Sequence, residues 1–161
     1  MKKLFCGAIL ALSIISMTGC GSETVKSDSL GVEVTLPGNG WEKTSDDGES
    51  FVIAKNKDMV TYNVNDLPDG YTLSKTEDEL KKALGDDVMA VSKISDFDYS
   101  ENEDGTVKKL FYVQVLEIGG TKTAMINSFK IQNNKLVTAN ATLTNARDSK
   151  IKEITEVVKG L

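Results

Sequence analysis

The 161-residue sequence predicts an α+β fold, a single domain with a central antiparallel β-sheet flanked by helices in an α/β/α sandwich. Three observations point there. Four stretches of alternating apolar and polar residues follow one another between Val88 and Thr144, joined by tight-turn sequences. Only two segments, after Thr76 and after Asp148, repeat apolar residues at helical spacing. Residues 31–161 are long enough to bury roughly two thirds of the unfolded chain's surface in one core.

The chain opens with a segment that is not part of this domain. Lys2 and Lys3 are followed by an uncharged apolar run from Leu4 to Met17. That run has the length of a signal-peptide core and falls short of the roughly 20 residues a spanning helix needs. It ends in Ser16-Met17-Thr18-Gly19-Cys20, which resembles the lipobox of bacterial lipoproteins, with Met17 standing where the pattern usually has Leu. The resemblance implies that residues 1–19 are a signal peptide removed on export. It also implies that Cys20 is the lipid-attachment residue and that the protein faces outward from the cell membrane on that lipid. Residues 20–30 then read as the lipidated Cys and a flexible tether, polar and without periodicity from Gly21 to Ser29. A tether of this length reaches at most about 30 Å, so the domain would sit close to the membrane face.

Within the domain, Val32, Val34 and Leu36 alternate with Glu33 and Thr35, Pro37-Gly38-Asn39-Gly40 breaks the pattern, and Trp41 resumes it. Phe51 to Ala54 and Met59 to Val64 flank Asn56-Lys57-Asp58, which predicts a hairpin. Thr76 and Glu79 have capping-box spacing, Leu80, Ala83 and Leu84 follow at helical spacing, and Gly85 stops a short helix. Strands are then expected over Val88–Ser100, Val107–Ile118, Thr121–Gln132 and Lys135–Thr144. Their turns are Asp104-Gly105, Gly119-Gly120 and Asn133-Asn134, sequences that accept positive φ. In the last strand Val137, Ala139, Ala141 and Leu143 alternate with Thr138, Asn140, Thr142 and Thr144, so one face is core and the other polar. Asp148 or Ser149 is expected to cap a helix whose stripe is Ile151, Ile154, Val157, Val158 and Leu161.

The opening Val32-Glu33-Val34-Thr35-Leu36-Pro37-Gly38-Asn39-Gly40-Trp41, a strand ending in Leu-Pro with Trp shortly after, resembles the start of PsbP-like domains. That group includes the extrinsic photosystem protein and the Ran-binding Mog-type proteins. The order of elements agrees over nearly all of residues 31–161. The resemblance implies a central antiparallel sheet flanked by helices and a habit of serving as a binding or assembly module. It transfers no functional residue, because none of the family's site residues can be matched here.

Charge and composition narrow the function. The leader would take two of the 19 basic residues and none of the 24 acidic ones, so the exported chain carries −7 rather than −5. An acidic domain is repelled by phosphate, so no nucleic-acid partner is expected, and contact with the membrane is expected only through the lipid. With Cys6 lost in the leader and Cys20 in a thioether, the domain has neither free thiol nor disulfide. The chain also lacks His, so the commonest general base, nucleophile partner and zinc ligand are missing together. No catalytic residue, cofactor or metal site is expected.

Several motifs resolve to plain structure. Asp96, Asp98 and Ser100 have the spacing that opens an EF-hand, but Glu101 stands where the loop needs Gly and Val107 where it needs a bidentate Glu. The segment through Gly105 reads as a solvated acidic hairpin tip. Asp46-Asp47-Gly48-Glu49 and Asp86-Asp87 read as solvated turns, and Gly119-Gly120-Thr121-Lys122 lacks the context of a phosphate loop. Trp41 is expected to be buried, fastening its turn to the sheet, and the aromatic residues on strands to be core or half-buried.

The sequence thus favours a non-enzymatic envelope lipoprotein that holds an envelope protein partner, with the Thr138, Asn140, Thr142 and Thr144 row as the surface if no helix covers it. Two alternatives stay open. An envelope hydrolase would need two carboxyls about 5 to 10 Å apart in a pocket, at least one with a raised pKa. A small solute-binding lipoprotein is the other.

Overall fold

A computed structural model describes residues 23–36 and 40–161. The chain starts with a hairpin, β1 (Glu23–Ser27) against β2 (Val32–Leu36), in register from Glu23↔Leu36 to Ser27↔Val32. Part of the stretch read as a tether is therefore a strand. Its outward residues are polar, which hid it, but Ser27 is buried and its Oγ donates to Asp46 Oδ1 at 2.7 Å. A strand needs only one buried face when a partner completes its ladder.

Seven further strands form one antiparallel sheet: β3 (Glu42–Asp46), β4 (Ser50–Lys55), β5 (Asp58–Asp66), β6 (Ser92–Glu101), β7 (Val107–Ile118), β8 (Thr121–Gln132) and β9 (Lys135–Thr144). Their spatial order is β3-β4-β5-β9-β8-β7-β6. Both residues of the Gly119-Gly120 and Asn133-Asn134 turns have positive φ, which lets two-residue loops close Ile118↔Thr121 and Gln132↔Lys135. The halves of the sheet join where β5 pairs β9, from Thr61↔Asn140 to Asp66↔Lys135.

Helices are few and short. At α1 (Glu77–Leu84) the Thr76 Oγ1 accepts from the Glu79 amide at 3.1 Å, as the spacing predicts, while the Glu79 carboxylate accepts from the Lys75 amide, one residue before the cap. Gly85 ends it at φ 89°. A second turn, α2 (Asp86–Ala90), occupies residues where a strand was expected to begin at Val88; Asp86 and Asp87 favour this helix start. The last helix, α3 (Asp148–Lys159), starts after Arg147 with no side-chain cap, because Asp148 pairs with Lys122 instead.

α3 crosses β8 and β9 where their inward residues are small: Ala124, Ser128, Ala139 and Ala141. These let the helix approach closely, and it buries Ile154, Val157 and Val158. β2 adds Val32, Val34 and Leu36, Trp41 is 4% exposed in the same cluster, and Phe51, Ile53 and Tyr62 fill the β4–β5 side. Lys109 closes the helix end by donating to the carbonyls of Lys159 and Leu161 at 2.7 and 2.8 Å.

The expected α/β/α sandwich is not what forms. Strands take 54% of the described residues and helix 18%, so the architecture is a mainly-β one built on the seven-stranded sheet. Its first face is covered jointly by α3 and the β1–β2 hairpin. On the second face, Leu73 and Leu80 seal a small cluster with Leu110 and Tyr112 at the β6–β7 side. An eight-residue and a five-residue helix are too short to span seven strands, which extend to roughly 28 Å in width at about 4.7 Å spacing.

Candidate functional site

The uncovered part of the second face is the site. Directly opposed residues share a face, so the register places Thr138 beside Asn63 and Phe129, Asn140 between Thr61 and Asn127, Thr142 beside Met125 and Thr144 beside Thr123. Thr138 and Asn140 are half-buried, Thr142 and Thr144 exposed. The predicted row is thus open to a partner, and the Asn140 amide donates to Thr138 Oγ1 at 3.3 Å, fixing both side chains.

Val52 continues the row beyond Thr61 on β4. None of these residues is charged, although 27% of the chain is. The surface offers hydroxyls, amides and a thioether, groups that exchange hydrogen bonds with a partner without the desolvation penalty of an ion. Thr61, Asn63, Thr123 and Asn127 were not singled out from the sequence. Their alternation was visible, but the β5–β9 pairing that unites them with the predicted row is non-local.

Cys20, the predicted lipid-attachment residue, lies outside the described residues, as do Pro37, Gly38 and Asn39. Asp96, Asp98 and Ser100 lie on β6, an edge strand, and not in a loop. Asp96 pairs with Lys159 at 3.1 Å, and Asp104 accepts from the Thr106 amide and hydroxyl. Among the described residues no three Cys, Asp or Glu side chains converge as metal ligands. Phe111, Tyr112 and Tyr62 are buried, Phe97 and Phe129 half-buried, while Tyr99 is exposed.

The most perturbed carboxyl is structural. Glu153 on α3 accepts from Lys55 at 2.8 Å, from Lys150 at 3.0 Å and from the Trp41 indole at 3.2 Å. These hydrogen bonds, Lys55 first, hold it down at about 2, while Lys150 is raised by Asp58 and by Glu153 itself. Asp46, Asp47, Asp66, Asp104 and Asp148 are also lowered, each chiefly by a hydrogen bond to its charged form. A hydrolytic acid needs the opposite shift, and none of these groups supplies it.

The seven-stranded antiparallel sheet, with one face roofed by the C-terminal helix, has a PsbP-like, Mog-type fold. Solved structures agree. The cyanobacterial PsbP protein CyanoP from Synechocystis sp. PCC 6803 matches with a TM-score of 0.56 and 18% identity, over 92% of this chain and 95% of that one. The Ran-binding protein Mog1p of Saccharomyces cerevisiae matches with a TM-score of 0.59 and 6% identity, over 87% and 92%. Likeness at these identities establishes the fold alone. No protein-family model matches the chain, and no curated protein does.

Proposed function

We propose that this protein is a non-enzymatic binding or assembly module, lipid-anchored through Cys20 at the outer side of a bacterial cell membrane, that holds an envelope protein on its open sheet face. The observation that carries the reading is the uncharged row of Thr138, Asn140, Thr142 and Thr144, continued across β5 and β8 and left uncovered by any helix of the described residues. Charged residues are depleted at the centres of protein interfaces, and on an acidic chain an uncharged face is where another protein docks without like-charge repulsion. The Ran-binding neighbour of the same fold supports a binding role. The basic and apolar leader ending in Gly19-Cys20 supports the anchor.

The test is site-directed crosslinking in native membranes. A photoreactive side chain at Thr142 should capture one discrete envelope protein, while the same probe at exposed Glu33 on β2 should not. Thr142→Lys and Asn140→Lys should abolish capture with the fold intact. Cys20→Ala should release the protein from the membrane fraction. Wild type found soluble and unlipidated would overturn the anchor, and capture that ignores both lysine substitutions would overturn the face.

A further inference from the structure

Opposite the open face, a cleft of about 420 Å³ runs between β6 and α3. It lies where α3, packed over β8 and β9, stops short of β6, with the inward face of β7 buried at its base. Val113 and Val115 make its floor, and Ile151 of α3 extends the apolar wall. Its volume is in the roughly 300–1,000 Å³ range of small-ligand sites.

β6 is built to present side chains here. Its register with β7 slips between Ile94 and Asp96, so Ser95 is an extra residue in a β-bulge. Lys93 stands opposite Val115 and Asp96 opposite Val113, on the cleft side, and the bulge adds Ser95 to the same lining. In a regular strand Ser95 and Asp96 would point to opposite faces. Bulges of this kind re-aim side chains next to binding sites.

The charges are asymmetric along the cleft. At the end where β6 begins and α3 starts, Lys93, Lys122 and Lys152 face a single carboxylate, Asp148. Lys122 pairs with Asp148 and holds it below the usual carboxylate range, with Lys93 adding to the effect. Farther along, Lys159 pairs with Asp96 and lies 4.4 Å from the centre of the Phe111 ring. Among the described residues Lys93 and Lys152 make no ion pair within 4 Å, and Glu156 is the one further carboxylate in the lining. In a chain of net −5, this is a local excess of positive charge above an apolar floor.

We propose that the β6–α3 cleft binds a small organic anion with an apolar body, its carboxylate held by Lys93 and Lys152 and its apolar part lying against Ile151 and the aliphatic stems of the lining lysines, above the buried Val113 and Val115. The site is independent of the open sheet face and would stand if that face bound nothing. The probe is trifluoromethyl-phenylacetate, followed by fluorine NMR, with the full-length protein in nanodiscs and empty nanodiscs as the blank. Wild type should bind saturably, and the uncharged amide of the same acid should bind at least about fivefold more weakly, the scale of one exposed charge contact. Lys93→Gln and Lys152→Gln, both at exposed positions, should each weaken binding about threefold with melting temperatures close to wild type. Glu156→Gln should strengthen it about twofold. Raised salt should weaken the acid and not the amide. No saturable binding above the blank, equal binding of acid and amide by wild type, or indifference to both lysine substitutions would overturn the assignment.

Discussion

The two faces of the large sheet are made by the same strands and end in opposite conditions. On β9, Ala139 and Ala141 are 0% and 4% exposed, while Asn140 and Thr142 between them stay half-buried and exposed. On β8, Ala124 and Ile126 are sealed, and Met125 and Asn127 remain accessible. Period-two alternation gives every strand two chemistries, but burial is decided by what is laid on each face. α3 and the β1–β2 hairpin make one face a core. The short α1 and α2 leave much of the other as surface.

The largest effect should come from the covered face. Ile126→Ala removes a fully buried side chain beneath α3 and should cost about 3 kcal/mol in urea unfolding, whereas Thr142→Ala on the same sheet should stay within about 0.5 kcal/mol. Similar losses at both positions would erase the distinction between the faces.

A smaller effect should come from the clamp that holds α3 over its face. Glu153→Gln should cost on the order of 1 kcal/mol near neutral pH, allowing for a side chain that is 31% exposed. The acid response gives a second readout. Folding lowers this carboxyl from 4.5 to about 2, so its contribution is complete above about pH 4.5 and is lost as pH falls through about 2. Between those values wild type should lose more stability than Glu153→Gln. Parallel acid titrations would show that the clamp does not form.

The comparison between faces was half legible in the sequence. The row from Thr138 to Thr144, the α3 stripe from Ile151 to Val158 and the glycine and asparagine turns follow from local periodicity and backbone rules, and each forms where expected, while Leu161 packs on the core from beyond the helix end. What covers the second face did not follow. The helix at Asp86–Ala90 replaces the start of a strand because two acidic residues favour a helix start after Gly85, against the β-branched residues that follow. β1 was hidden by its polar outward residues, and the β5–β9 pairing depends on contacts about 70 residues apart, which no local pattern encodes. The cleft was invisible for a similar reason, since its lining comes from four separate elements and a bulge.

Even the covered face is not uniformly optimised. Tyr62 Oη and Ser128 Oγ are buried without a hydrogen-bond partner among the described residues, on strands either side of Ala139 in one cross-strand row. Burial alone pushes the Tyr62 hydroxyl up out of its ordinary range. Leaving a buried hydroxyl unpaired costs about 1–3 kcal/mol, so Ser128→Ala, which keeps the small volume α3 needs, should be neutral or stabilising by up to about 1 kcal/mol. A clear loss of stability would mean that Ser128 makes a hydrogen bond in solution, and that this face has a polar element beneath α3.

The smallest stability change, and the sharpest test of the open face, is Thr142→Lys. Thr142 is exposed, so a long charged side chain can extend into water, and unfolding free energy should move by no more than about 0.5 kcal/mol. Binding should respond very differently. A charge placed between the Met125 and Asn140 contacts would have to be desolvated on docking, and partner affinity should fall at least about tenfold. Glu33→Lys on β2, which gives up the exposed Lys26 ion pair and should cost up to about 1 kcal/mol, reverses a charge on the other side of the molecule and should leave that affinity within about twofold. If the two substitutions weaken the partner equally, long-range charge governs the interaction; if only Thr142→Lys does, the face that α1 and α2 leave uncovered is the interface.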